Sequence, residues 1–167
     1  MKNDVLVNFY VDKENKKISV ERTFKAPLEK VWAAFTQKEI LDQWWAPKPW
    51  RTQTKSLNFT VGGYWLYAMK GPEGETHWCR ADYKSINDLK SFSVEDAFCD
   101  ENGTINHGLP TSVWTNEFNE EDGDTVVSVE MVFGNIDDLE KLLEMGFREG
   151  FASAAMEFIR WQQFHVS

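Results

Sequence analysis

The feature that most constrains this chain is a change of period. Between residues 50 and 133 apolar side chains recur at every second position, in runs broken by turn chemistry at "GG" (62–63), "GPEGE" (71–75), "ND" (87–88), "DENG" (100–103) and "EEDGD" (120–124). After Gly134-Asn135 the spacing becomes helical, with Leu139, Leu142, Leu143, Gly146, Gly150, Ala154, Phe158 and Trp161 on one stripe. No single kind of element satisfies both periods. The chain must therefore lay a meander of antiparallel strands against a terminal helix, which the stripe predicts to run unbroken for about seven turns. Asn135 is placed to cap it, with Asp137, Asp138 and Glu140 near the positive end of the dipole.

Upstream, "VLVNFYV" and "KISVERTF" alternate around "DKENKK" and read as a hairpin. Pro27 suits a first helical turn, and Val31, Trp32, Ala34 and Phe35 follow at helical spacing. Thr36 is placed to cap a second short helix with Glu39 closing a capping box, and Ala-Pro-Lys-Pro at 46–49 stops it. The plan is α+β: a curved antiparallel sheet wrapped around a long C-terminal helix, with two short helices after the first core strand. At 167 residues the chain reads as one domain, 1–167. A sheet curling around a helix leaves a gap between them, the natural place for a pocket.

Charge and motif content remove several classes of function. A net charge of −9 repels phosphate backbones and anionic lipid, which argues against nucleic acid and membrane as partners. No leader or membrane-length apolar run is evident, so a cytoplasmic protein is expected. With Asn87-Asp88 as a two-residue turn, Cys79 and Cys99 fall three positions out of step, too far apart to bridge, and read as free thiols. His77, His107 and His165 have no metal-ligand spacing, and no nucleophile elbow, phosphate loop or dinucleotide fingerprint occurs. No metal, cofactor or catalytic set is expected. The polar 100–110 segment reads as a mobile loop.

The order "FKAPLEKVWAAFT", "ILDQWWAP", "VGGYWLYAMKGPEGE", "CDENG" and "MGFREGF" resembles bacterial homologues of the C-terminal domain of the activator of the 90-kDa heat-shock-protein ATPase. That family lies in the START-like, or polyketide cyclase (SRPBCC), superfamily. The resemblance spans residues 18–164 and leaves 1–17 as an extra N-terminal strand of the hairpin. It implies a helix-grip fold with a cavity between sheet and helix. It also implies a range of functions, from binding lipids, sterols or polyketides to cyclising them or contacting a chaperone. Ala46 stands where the family often has Gly, and Pro49-Trp50 replaces a glycine-aromatic pair; neither departure adds a catalytic group.

Strand alternation then nominates the lining. Trp65, Tyr67 and Met69 share one face and match the family's apolar face; Phe92, Val94, Asp96 and Phe98 share another, as do Ser112, Trp114, Asn116 and Phe118, and Val127, Val129, Met131 and Phe133. Asp96 and Asn116 are either polar anchors in an aromatic pocket or rim residues on a twisted strand. Gly146 and Gly150 either admit close packing of large rings or leave room for a ligand flanked by Met145. Trp44 and Trp45 either form a wall or lid at the cavity mouth or plug the core. The expected ligand set is therefore Trp44, Trp45, Trp65, Tyr67, Met69, Asp96, Trp114, Asn116, Phe118, Met131, Met145, Gly146 and Gly150. The function expected is non-enzymatic binding of an apolar, aromatic small molecule. The alternatives are a chaperone-linked interaction module and, behind it, a cyclase- or hydrolase-like site pairing Cys79 or Tyr83 with Asp96.

Overall fold

The computed structural model of the chain describes residues 6–46 and 49–145. Elements follow in the order β1 (Leu6–Asp12), β2 (Lys17–Phe24), α1 (Leu28–Thr36), α2 (Lys38–Trp44), β3 (Arg51–Leu57), β4 (Tyr64–Lys70), β5 (Thr76–Asn87), β6 (Ser91–Cys99), β7 (Thr111–Glu121), β8 (Asp124–Phe133) and α3 (Ile136–Glu144). The strands form one antiparallel sheet in the order β1-β2-β8-β7-β6-β5-β4-β3. The first hairpin thus joins the end of the meander through β2 and β8, where Val20 faces Val129 and Ile18 faces Met131.

Alternation sorts the two faces as the period of two requires. On β7, Ser112, Trp114, Asn116 and Phe118 are buried while Val113, Thr115 and Glu117 are exposed. On β8, Val127, Val129, Met131 and Phe133 are all buried. Helix α1 lays Val31, Trp32, Ala34 and Phe35 on this inner face. Trp32 meets Phe118, Phe92 and Phe59 edge-on at 4.9–5.9 Å, and Phe35 meets Phe118 at 5.3 Å, so the core is largely a lattice of perpendicular rings. Arg22 is the unexpected member. It takes an inward position between Val20 and Phe24, is 1% exposed, and holds its guanidinium 5.3–5.9 Å from the ring centroids of Phe24, Phe35 and Trp44.

Local chemistry departs from expectation at three places. Thr36 does not cap α2: it is the last residue of α1, and its hydroxyl donates to the Trp32 carbonyl one turn back at 2.9 Å, so Gln37 becomes the N-cap without a side-chain bond. The turn between β5 and β6 has three residues, with Leu89 at φ 61°, and a bulge follows between Tyr83 and Ser85. Cys79 therefore pairs with Phe98, and Cys99 with Trp78, one position out of step rather than three. Adjacent positions point to opposite faces, so the thiols still do not meet, and both are free. Finally, α3 starts as expected, with the Asn135 side chain accepting from the Asp138 N–H at 2.8 Å, but it ends at Glu144. Met145 leaves helical geometry at φ −77°, ψ 3°, so the helix expected to run unbroken from Ile136 is interrupted there, and the remainder of the expected stretch lies outside the described residues. The sequence places Gly146 next, a residue type that commonly follows a helix end.

The 100–110 segment, expected to be mobile, is tied down instead. Asp100 accepts from the Asn102 and Thr104 N–H groups at 2.9 Å each. Arg80 donates to the Gly103 carbonyl at 2.7 Å while pairing with Asp82 and covering the Tyr64 ring at 4.0 Å. Outward-facing β5 therefore anchors the loop.

Candidate functional site

The inner faces of β4 to β7 converge with α1 and the end of α2 on a small cavity. Among the described residues it is lined by Phe35, Trp45, Trp65, Ala81, Tyr83, Phe92, Val94, Asp96, Trp114 and Asn116. Its volume is about 30 Å³, room for one water-sized group. A broader groove of about 380 Å³ opens on the outer face across β1, β2, β8 and β7. That groove is solvent-open and bordered by Glu21, Glu117 and Glu130, without an enclosing apolar wall. The aromatic cavity is the better candidate for a small molecule.

Two of the three indoles at the cavity are held by their own N–H. Trp65 donates to the Thr54 hydroxyl at 3.0 Å, and Thr54 in turn donates to Asp42 on α2 at 2.6 Å, with its backbone N–H on the same oxygen at 3.0 Å. Helix α2 thereby fixes the tilt of a ring on β4. Trp114 donates to Ser112 two residues back at 2.8 Å. The Trp45 indole is in polar contact with the Tyr67 hydroxyl, and Tyr67 stacks on Trp65 at 3.8 Å. With their donors engaged, Trp65 and Trp114 offer the cavity ring surface rather than N–H groups.

The polar side chains of the lining are Asn116, Asp96 and Tyr83. Asn116 is 5% exposed and its Nδ2 lies 3.4 Å from the Phe92 carbonyl, which can only accept, so its amide oxygen is turned the other way. Asp96 faces inward opposite Ala81 and Ser112 and is half-buried at the cavity. Among the described residues its carboxylate makes no hydrogen bond or ion pair. Burial first, and Asp82 on the neighbouring strand second, push its carboxyl from 3.8 up to about 7. Beside it, burial also pushes the Cys79 thiol and the Tyr67 hydroxyl, which touch each other, well above their ordinary ranges. Both stay protonated at neutral pH, so neither is an activated nucleophile. Among the described residues no cluster of three or more His, Cys, Asp or Glu could hold a metal ion.

Of the nominated ligand residues, Trp45, Trp65, Asp96, Trp114 and Asn116 meet at the cavity, and Tyr67 stands directly behind it. Trp44 does not: it is 1% exposed, packs on Phe35 at 5.0 Å and donates to the Ala34 carbonyl at 2.9 Å, so it plugs the core while half-buried Trp45 forms the wall. Phe118 and Met131 lie deeper in the core, Met69 sits at the end of β4 opposite His77, and Met145 is 51% exposed. None of these four lines the cavity. Gly146 and Gly150 lie outside the described residues. The alternation of Cys79, Ala81 and Tyr83 on β5, opposite Asp96, was the available signal for the part of the lining that the nominations missed.

A curved antiparallel sheet with helices gathered on its inner face, over an aromatic cavity, defines a helix-grip, START-like α+β protein. Solved structures agree. A Mycobacterium smegmatis protein is 27% identical over 91% of this chain and 94% of its own, with a TM-score of 0.84. An Arthrobacter aurescens protein is 27% identical over 89% and 87% of the two chains, also at 0.84. One from Staphylococcus epidermidis is 27% identical over 88% and 89%, at 0.77. Residues 25–160 match the model of the "Activator of Hsp90 ATPase homolog 1-like protein" family, and the chain belongs to that family. No curated protein matches it at a significant level.

Proposed function

We propose that the protein binds a small, apolar aromatic molecule, without chemical turnover, in the cavity between β4–β7 and the helices. The observation that carries this reading is a cavity walled by three indoles and three further rings, with the N–H groups of Trp65 and Trp114 already engaged. Apolar walls favour burial of an apolar body, and the few polar groups orient it. The free volume admits one compact group, so a whole ring enters by displacing half-buried Trp45, which has the most solvent access of the three indoles. Two free thiols fit a reducing compartment, the cytoplasm.

Titration with benzyl alcohol, followed by tryptophan fluorescence and by amide chemical shifts, tests the reading. Saturable binding at one site, lost in Ala81→Leu with the circular dichroism unchanged, is the expected result. An unchanged spectrum of the parent protein at saturating probe would refute it. The family match favours a second reading, a chaperone-linked interaction module. Co-purification of a heat-shock chaperone with an empty cavity would support that reading instead.

A further inference from the structure

Resting on that reading, we infer that the cavity is selective for a compact, protonated nitrogen, the ammonium or amidinium head of an aromatic or alkyl amine, held by Asp96 within the cage of Trp45, Trp65 and Trp114. The described lining carries one charge. The Trp65 and Trp114 indole donors are engaged by Thr54 and Ser112. The polar side chains that line the cavity are Asp96, Asn116, whose Nδ2 is turned to the Phe92 carbonyl, and Tyr83. An anionic ligand is repelled by the Asp96 carboxylate. A ligand with N–H donors satisfies that carboxylate and the Asn116 amide oxygen, and a cationic one also gains from the electron-rich ring faces.

The volume agrees with the charge. A space of about 30 Å³ suits one ammonium-sized head beside the carboxylate, with the apolar remainder directed toward Trp45. No cation among the described residues competes for the site. The groups facing Asp96 are the Tyr67 hydroxyl on β4, the Cys79 thiol on β5, and Ser112 and Asn116 on β7, all uncharged at neutral pH. Asp82, the carboxylate that acts on Asp96 from the neighbouring strand, is paired with Arg80 on the outer face, and the buried Arg22 guanidinium lies behind Phe35 on the far side of that ring's wall. Among the described residues this is the arrangement expected where the missing partner is a positively charged ligand: an aromatic enclosure, a half-buried anion, and no counter-ion.

The test compares benzylamine, cationic at the pH used, with benzyl alcohol, its neutral counterpart of similar shape, on the full chain by amide chemical shifts. Near pH 8 the amine should bind about tenfold or more tightly than the alcohol, and Asp96→Asn should erase that preference by lowering the amine's affinity toward the alcohol's. The parent protein supplies a second readout that needs no variant. Amine affinity should fall at least about tenfold between about pH 8 and pH 5.5 as the carboxyl takes up its proton, with alcohol affinity unchanged. Equal binding of the two probes, or a preference that survives Asp96→Asn, overturns the inference and leaves the aromatic-cavity reading standing. Failure of both probes to bind overturns both.

Discussion

Replacing Asp96 by Asn should stabilise the protein, and by an amount that grows with pH. In the folded chain the carboxyl is pushed from 3.8 up to about 7 by burial and by Asp82. In the unfolded chain it returns to its ordinary value. Between these two values the native state holds a proton that the unfolded state has released, so stability falls as pH rises through that window and levels off above about 7. At about 1.36 kcal/mol per unit the full cost approaches ~4 kcal/mol at pH 8, against less than ~2 kcal/mol at pH 5. Asn has the same shape and no charge, and it escapes this cost. Urea unfolding of both proteins at the two pH values measures it directly. The stability advantage of Asp96→Asn should widen by about 2–3 kcal/mol from pH 5 to pH 8, or roughly 5–10 °C in Tm difference for a chain of this size. An advantage that does not change with pH, or a variant that is weaker at pH 8, would mean that the folded protein satisfies this carboxylate. The argument for an unmet demand at the cavity would then collapse.

Three further outcomes follow from the same geometry. Asp42→Ala removes the acceptor for two Thr54 donors and frees the ring that Thr54 holds, so it should cost about 1–3 kcal/mol in urea unfolding and shift the tryptophan emission. Trp45→Ala should lower Tm by emptying a half-buried ring site among Trp44, Trp65 and Trp114, and added indole should restore part of the loss; failure of indole to do so would argue that the wall collapses when vacated. Alkylation near pH 8 followed by peptide mapping should label half-buried Cys99 well before Cys79, which is 4% exposed and whose thiol burial holds protonated; faster labelling of Cys79 would contradict its placement.

Most of the sheet was legible because strand alternation is a local property. The faces read from residues 112–118 and 127–133 are the faces observed, while on β4 Leu66 and Ala68 are buried beside Trp65 and Tyr67 and on β6 the alternation weakens after Val94; Asn135 caps where its position beside an apolar stripe says it should. Competing local interactions were harder to read. Thr36 could cap forward or bond back, and the Trp32 carbonyl, already formed into α1, won. A bulge and a three-residue turn moved the Cys79 register, since the alternation of residue types does not reveal how many residues a turn consumes.

By itself the sequence determined the class of fold and the inward set of most strands, because hydrophobic periodicity and chain order decide what can be buried; it left open whether Asp96 and Asn116 sit among the inward rings or at the rim. Which of two adjacent tryptophans became plug and which became wall was settled by the tertiary structure, through a hydrogen bond from Trp44 to Ala34 and the convergence of β4, β6 and β7 on Trp45. The same holds for the character of the cavity. Whether an indole N–H points into a space or is spent elsewhere depends on partners such as Thr54 on β3, 11 positions from Trp65, and that contact exists only after the sheet has curled. Packing likewise leaves the Asp96 carboxylate among these rings without a partner among the described residues, because the residues that converge on it from β4, β5 and β7 bring no cation.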